Sequence, residues 1–299
     1  MQPERKPVTG ATADTPLSGG SIAIICGGGS LPGAVADAVA RSGRRPVMFA
    51  LRGWADAKGV ERHPHHWIAL GQFGRFLRLA EAEQCRDVLF IGALLRPPLS
   101  QIRLDWHTFR LMPRIARCFR GGDDRMLSGV ATFFEEQGLR VVGLNDVAPD
   151  VLVPEGVLGR RQPSPRDRSD IARALDLLAA LGPFDVGQAV IVADNRVLAV
   201  EAAEGTDNIL LRVAELRGQR RVTTPQGVGV LVKAPKPAQD RRFDLPAIGP
   251  QTVANVARAG LAGIAVLARS TIIADAVEAI ATADRANIFL VGVPGGGAQ

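Results

Sequence analysis

Apolar residues fall into two regimes along this chain. Ser21 to Cys26, Pro46 to Leu51, Val88 to Leu94 and Arg140 to Val147 are short, nearly continuous apolar runs, the pattern of strands buried on both faces of a parallel sheet. Between them the apolar residues recur three and four apart, over Leu31 to Arg41 (closed by Gly43), Phe73 to Cys85, and Asp124 to Gln137 with Asp123 set as an N-cap. Strands alternating with helices predict a Rossmann-like domain with a parallel sheet over residues 21 to 150. The next stretch, VLVPEGVLGRRQPSPRD, has three prolines and no period, so residues 151 to 167 read as a linker.

Beyond it the order changes. Ser169 to Leu181 is spaced as a helix, and Ala189 to Glu201 as two strands about an Asp194-Asn195 turn. Helices are expected over Thr206 to Leu216, Pro250 to Ala259 and Asp275 to Ala286, with strands over Val228 to Val232, Gly263 to Ala268 and Ile288 to Val293. Residues 168 to 299 are thus expected to form a mixed α/β domain that is not a second copy of the first. Residues 1 to 20 are rich in Pro, Thr, Gly and Ser and lack an apolar segment, which predicts a disordered tail and no signal peptide.

Composition narrows the function classes. With 299 residues, 46% hydrophobic and 22% charged, the chain can build two ordinary cores. No apolar run approaches the roughly 20 residues that span a bilayer, so a cytoplasmic protein, at most peripheral to a membrane, is expected. A net charge of +6 and a pI near 10 favour an anionic partner. Residues 1 to 150 carry 19 basic and 15 acidic side chains, and residues 151 to 299 carry 17 and 15. A nucleic-acid module concentrates its charge more than this, so nucleic acid is not an expected partner. Three scattered cysteines, Cys26, Cys85 and Cys118, suit the reduced thiols of a cytoplasm, and none is given a role.

Several clusters carry candidate chemistry. Gly27, Gly28 and Gly29 lie between a strand and a helix, where backbone N–H groups can meet a phosphate or sugar; a turn that needs glycine for geometry alone explains them equally well. Pro32 and Arg52 depart from the dinucleotide fingerprint, which disfavours NAD. Gly121, Gly122, Asp123 and Asp124 lead into a helix, one aspartate as cap and Asp124 as a cleft candidate. In VEAAEGTD, the backbone of Gly205 and Thr206 offers N–H groups to an anion, while Glu201, Glu204 and Asp207 offer oxygens to a divalent cation. His63, His65 and His66 have no zinc-like spacing, and Pro64 makes their run a loop. Between Arg96 and Arg120 the arginines fall on one helical stripe and the apolar residues near another; this suits either an anionic bilayer or a core-facing helix with a charged outer face, kinked at Pro113. No P-loop motif is present.

The densest cluster is VKAPKPAQDRRFDLPAIG, from Val232 to Gly249. Lys233, Lys236, Gln239, Asp240, Arg241, Arg242 and Asp244 follow an apolar strand, and Pro235, Pro237 and Pro246 deny the segment a helix. A stiff polar loop at a strand end is where open α/β sheets hold ligands. Its cations can meet phosphate oxygens while its carboxylates hold a metal or orient water. A solvated basic loop with internal ion pairs is the competing reading.

KAPKPAQDRRFDLPAIGPQTV resembles the signature of the UDP-2,3-diacylglucosamine pyrophosphatase family of lipid A biosynthesis, LpxI type. IICGGGSLPGAVADA at 24 to 38, GGDDRMLSGVATFFEEQGLRVVG at 121 to 143 and FDVGQAVIVADNRVLAVEAAEGTDNILLR at 184 to 212 are similar to the same family. Cys26 departs from it, standing where a small residue is expected, and residues 1 to 20 have no counterpart. The resemblance implies hydrolysis of UDP-2,3-diacylglucosamine to UMP and 2,3-diacylglucosamine 1-phosphate with Mg²⁺, or Mn²⁺ in its place, at the cytoplasmic face of a Gram-negative inner membrane. On that reading Asp240 positions or deprotonates water, and Lys233, Lys236 and Arg241 hold phosphate oxygens. The metal is assigned to Asp240, Glu201, Glu204 and Asp207, and substrate contacts to Gly27, Gly28, Gly29, Asp124, Gln188, Gly205 and Thr206. The expected partners are the UDP-diacylglucosamine lipid and the anionic inner-membrane surface, with a homodimer left open. Two alternatives stand beside it: a nucleotide-dependent reductase of NADP type, and a noncatalytic nucleotide-sugar or lipid-binding protein.

Overall fold

The computed structural model describes residues 20–92, 105–106, 108–111, 123–236 and 239–295, with backbone only for 123–128. Its first half builds one five-stranded parallel sheet from β1 (Ser21–Cys26), β2 (Pro46–Leu51), β3 (His65–Ile68), β4 (Cys85–Ile91) and β5 (Arg140–Val141). The spatial order is β3-β2-β1-β4-β5. Helices α1 (Leu31–Arg41), α2 (Ala57–Val60), α3 (Phe73–Ala82) and α4 (Asp123–Glu135) lie between the strands, and α5 (Leu144–Val147) follows them. β1 and β2 are buried almost throughout because both faces are covered. One face packs Ile22, Ile24, Val35, Val39 and Leu89, and the other packs Phe49, Phe76, Val88 and Phe134.

The second half is organised on a six-stranded mixed sheet ordered β6-β13-β11-β9-β7-β8. Its strands are β6 (Gly156–Val157), β7 (Ala189–Ala193), β8 (Arg196–Val200), β9 (Val230–Lys233), β11 (Gly263–Leu267) and β13 (Phe289–Val293). A small parallel pair joins β10 (Ala247–Ile248) to β12 (Ile272–Ile273). The helices are α6 (Pro165–Leu181), α7 (Thr206–Gly218), α8 (Pro250–Arg258) and α9 (Ala276–Arg285). The expected hairpin forms: Asp194 at φ 55 and Asn195 at φ 59 supply the left-handed pair that a two-residue turn demands. The α/β class and the parallel first sheet agree with the sequence reading.

Four local expectations are corrected. Arg140 to Val147 is not one strand, since β5 stops at Val141 and Gly143 opens α5, its N–H bonded to Asp146 Oδ2 at 2.9 Å. The histidine run is not a loop: His65 to Ile68 pairs with Met48 to Leu51 as the edge strand, and Pro64, which cannot donate to a ladder, sits just ahead of it. Residues 151 to 167 are not irregular throughout, because β6 pairs with β13 and Ser164 caps α6 with Pro165 at its start. Proline there begins a helix, although it looks like a breaker in the sequence. Asp123 lies inside α4, one step past its expected cap position.

Candidate active site

Strand order reverses between β1 and β4, so the crevice at their carboxyl ends is the switch point where open sheets bind ligands. Gly27, Gly28 and Gly29 leave β1 there, and Gly27 N–H donates to Ile91 O at 3.0 Å. Gly92 leaves β4 at φ +99, and a Cβ on it would lie 2.9 Å from Gly28 O and 3.0 Å from the Pro32 ring. Glycine at 92 is therefore required for the two strand ends to touch.

On the other sheet, Lys233 ends β9 and is 8% exposed. Its Nζ donates to Ala247 O at 3.0 Å. Burial pushes the ammonium pKa down, and the carboxylates of Glu201, Asp207 and Asp244 push it back part of the way. Each of these carboxylates is held. Glu201 accepts from Gln188 N–H at 2.9 Å and from the Thr206 hydroxyl at 2.8 Å. Asp207 Oδ1 accepts from buried Asn255 at 2.7 Å. Asp244 Oδ2 accepts from Gln188 at 3.1 Å and also from Gln239. Gly205, at φ +79, turns the chain into α7 so that Thr206 and Asp207 stand in its first turn. Three carboxylates act through space on one ammonium, a local surplus of negative charge.

The polar loop after Lys233 joins the two halves. Phe243 packs on Phe90 with ring centroids 5.0 Å apart, and Leu245 packs with the first-half core that also takes in Leu152 and Ile272. Between these anchors, Asp240 faces Arg242. Nε lies 3.0 Å from Oδ1, Nη2 lies 2.8 Å from Oδ2, and the Arg242 backbone N–H donates to Oδ1 at 3.0 Å. Arg242 Nη1 continues to Glu135 of α4 at 3.1 Å. Burial by itself would raise the Asp240 carboxyl, but the Arg242 fork, its N–H and its charge outweigh burial and hold it below the usual carboxylate range. Arg241 is exposed and reaches Ser270 Oγ at 3.2 Å. Arg241 and Arg242 line the join beside Ile91, the residue bonded to Gly27. The charged loop therefore lies over the end of β4, the strand next to the one that the glycine turn leaves.

The residues singled out from the sequence separate into groups. Glu201, Gln188 and Thr206 share one hydrogen-bonded network, with Gly205 just ahead of Thr206, whereas Asp207 bonds Asn255 and Lys233 bonds Ala247 O. Asp240 and Arg241 lie at the join, and Lys236 bonds Asp185 through Nζ. Glu204 turns away to Arg212 at 3.1 Å; backbone N–H groups at its own position and at Ala202, together with Arg212, hold its carboxyl low. Asp124 lies in α4, its side chain outside the described atoms, and the glycines at 121 and 122 and most of the 96 to 120 stripe lie outside the described residues. Sequence reasoning left Arg242, Gln239, Asp244 and Asn255 without roles. The first three were visible as members of the charged run, whereas Asn255, inside a helix, gave no signal.

Other candidates fall to structure. Burial pushes the Cys26 thiol up to about 12 and the Cys85 thiol up to about 11, so neither is a ready nucleophile. His63 bonds Asp37 at 2.9 Å and His66 bonds Glu83 at 2.8 Å. Among the described residues no three His, Cys, Asp or Glu side chains converge as a metal-holding group. No described helix is long and apolar enough to cross a membrane.

Comparison with known proteins finds two family models along the chain. Residues 21–151 match the LpxI N-terminal domain and residues 154–291 the LpxI C-terminal domain. The UDP-2,3-diacylglucosamine pyrophosphatase LpxI of Caulobacter vibrioides is 39% identical over 272 residues, spanning 91% of this chain and 97% of that protein. Among solved structures, the biotin carboxylase domain of the Hydrogenobacter thermophilus 2-oxoglutarate carboxylase, with MgADP, ADP and bicarbonate, is 12% identical. That match covers 68% of this chain and 41% of the other at a TM-score of 0.23, too slight to bear on the site. With both domain models matched in order and a relative at 39% identity over nearly its full length, this chain belongs to the LpxI family.

Proposed function

We propose that this protein hydrolyses the pyrophosphate bond of UDP-2,3-diacylglucosamine, releasing UMP and 2,3-diacylglucosamine 1-phosphate, at the cytoplasmic face of the inner membrane. The observation that carries the reading is the Asp240–Arg242 loop seated over the end of β4, beside the strand that the glycine turn leaves at the switch point of the first sheet. The name and 39% identity of the Caulobacter relative supply the substrate.

A pyrophosphate spreads its charge over several oxygens, and cleavage needs that charge neutralised and a water aimed at phosphorus. Asp240, kept ionised by Arg242, is a weak proton acceptor at neutral pH. Its service is to orient the water, held in place by the rigid guanidinium fork. Arg241, exposed at the join, and Lys236, on the same loop, take phosphate oxygens. Lys233, nearly buried, acts from behind them by bracing the loop through its bond to Ala247 O. Backbone N–H groups of the Gly27 to Gly29 turn take the remaining anionic contact.

Mg²⁺ or Mn²⁺ is the proposed cofactor. The described residues do not fit a preformed cage from Asp240, Glu201, Glu204 and Asp207: Glu204 is turned to Arg212, and both Glu201 oxygens are committed. They do fit a cation that arrives on the pyrophosphate and takes one or two carboxylates, the usual habit of Mg²⁺. The negative surplus around Lys233 favours such a cation and would repel a bare pyrophosphate. When bound it would neutralise phosphate oxygens.

The test is to supply purified protein with UDP-2,3-diacylglucosamine and Mg²⁺ and to measure UMP and the lipid phosphate. Stoichiometric release of both is expected. Binding without release would favour the noncatalytic alternative, and a nicotinamide-dependent change in absorbance would favour the reductase.

A further inference from the structure

Trp106 and Phe109 stand on one face of a short helical segment and are 72% and 57% exposed. Their rings stack at 5.8 Å with an interplanar angle of 19°. The segment is fastened to the fold. Asp105 caps it through Thr108 N–H at 2.8 Å and also accepts from Arg75 N–H in the first turn of α3 at 2.9 Å. Thr108 Oγ1 accepts from Phe73 N–H at 3.0 Å, and Asp105 N–H donates to Gly71 O at 3.1 Å. Because α3 begins at the carboxyl end of β3, the aromatic pair rises from the sheet edge that carries the glycine turn. Arg110, one helical turn from Trp106, is exposed, as are Arg75 and Arg78 on α3. The other exposed aromatic among the described residues, Phe184 at 74%, lies beside the start of β7, whose Ala189 is paired with Lys233.

We propose that the face made by Trp106, Phe109 and Arg110 seats on an anionic lipid bilayer, holding the ligand edge of the first sheet against the membrane surface. Water-facing aromatic rings at such exposure lose apolar hydration when they enter the headgroup boundary, and tryptophan prefers that depth. Arginines beside the rings meet anionic headgroups, and the chain's net charge of +6 carries the same sign. Asp105, next to Trp106 in the chain, is occupied by four hydrogen bonds to Thr108 and the start of α3. A lipid substrate makes this face useful, so the proposal's purpose rests on the proposed reaction, but its test does not.

Full-length protein is floated with vesicles of phosphatidylethanolamine and phosphatidylglycerol, and separately with vesicles of phosphatidylcholine alone. Binding to the anionic vesicles, weakened by salt, is expected. Trp106→Ser with Phe109→Ser should weaken it about tenfold or more, and Arg110→Gln about fivefold. A variant with Trp54→Phe and Trp67→Phe, which leaves Trp106 as the emitting tryptophan, should shift to shorter wavelength on adding anionic vesicles. Unchanged binding by the double variant, or no binding to either vesicle, overturns the proposal. So does a double variant that loses self-association while keeping vesicle binding, since a second copy of the chain would then be the occupant. UMP release is not measured here, so failure of this face and failure of the proposed reaction stay distinguishable.

Discussion

Replacing Arg242 with alanine separates the stability of the loop from its chemistry. The side chain makes two ion pairs, to Asp240 at 2.8 Å and Glu135 at 3.1 Å, and its guanidinium carbon lies 5.8 Å from the centre of the Phe243 ring. Arg242 remains 37% exposed and Glu135 49% exposed, so solvent screens both pairs. Half-exposed pairs contribute about 0 to 1 kcal/mol each and the ring contact about 0.5 to 1. The expected loss is therefore about 0.5 to 3 kcal/mol, a fall in melting temperature of roughly 2 to 10 °C for domains of this size. Turnover should suffer far more, by about 10² in kcat/KM, because Asp240 loses the fork that aims it. The pH profile supplies the sharper readout. In the intact protein Arg242 holds the Asp240 carboxyl low, so the pair is fully formed above the ordinary carboxylate pKa and is lost as pH falls through the depressed one. Without Arg242, burial acts unopposed and raises the carboxyl. The acidic limb of kcat/KM should then move to higher pH, and Arg242→Lys, which keeps charge but not the fork, should fall between. If kcat/KM stays within about threefold and the acidic limb does not move, Arg242 does not act through Asp240.

Asp240→Asn should cost at least about 10² in UMP release while the melting temperature changes little, since shape is kept and charge removed; near-normal release would refute its role. Lys233→Met should destabilise the second half by about 1 to 3 kcal/mol, because the buried bond from Nζ to Ala247 O is lost and the carbonyl is left without that donor; a denaturant midpoint close to that of the intact protein would show that the loop does not depend on it. Gly92→Ala should lower both melting temperature and kcat/KM, since a Cβ at φ +99 meets Gly28 O at 2.9 Å and pushes the glycine turn out of place; full activity with a normal melt would sink the switch-point site. Chelation should stop UMP release, with Mg²⁺ or Mn²⁺ restoring it. Restoration by Zn²⁺ alone, or full activity in excess EDTA, would remove the proposed cofactor.

The elements that burial fixes locally were legible in the chain. β1 and β2 match their apolar runs residue for residue, because a strand covered on both faces needs nothing but apolar side chains. The Asp194-Asn195 turn was legible because few residues accept positive φ. Where a signal had two local meanings, the sequence misled. Prolines near residue 165 mark a helix start as readily as a linker, and Gly143 broke an apolar run that otherwise reads as one strand. The charged run from Lys233 to Asp244 announced a site, yet it held seven polar side chains whose partners nothing nearby could assign. Tertiary approach chose them. Phe243 and Leu245 bury against the first domain and bring Arg242 to Glu135, more than a hundred residues away, so that its fork closes on Asp240. At the end of β9, buried Lys233 bonds Ala247 O, while Glu201 is held by Gln188 and Thr206, Asp207 by Asn255 and Asp244 by Gln239. Apolar periodicity is a property of neighbours in sequence, whereas the choice among many arginines and carboxylates depends on distances that exist only after both cores have closed.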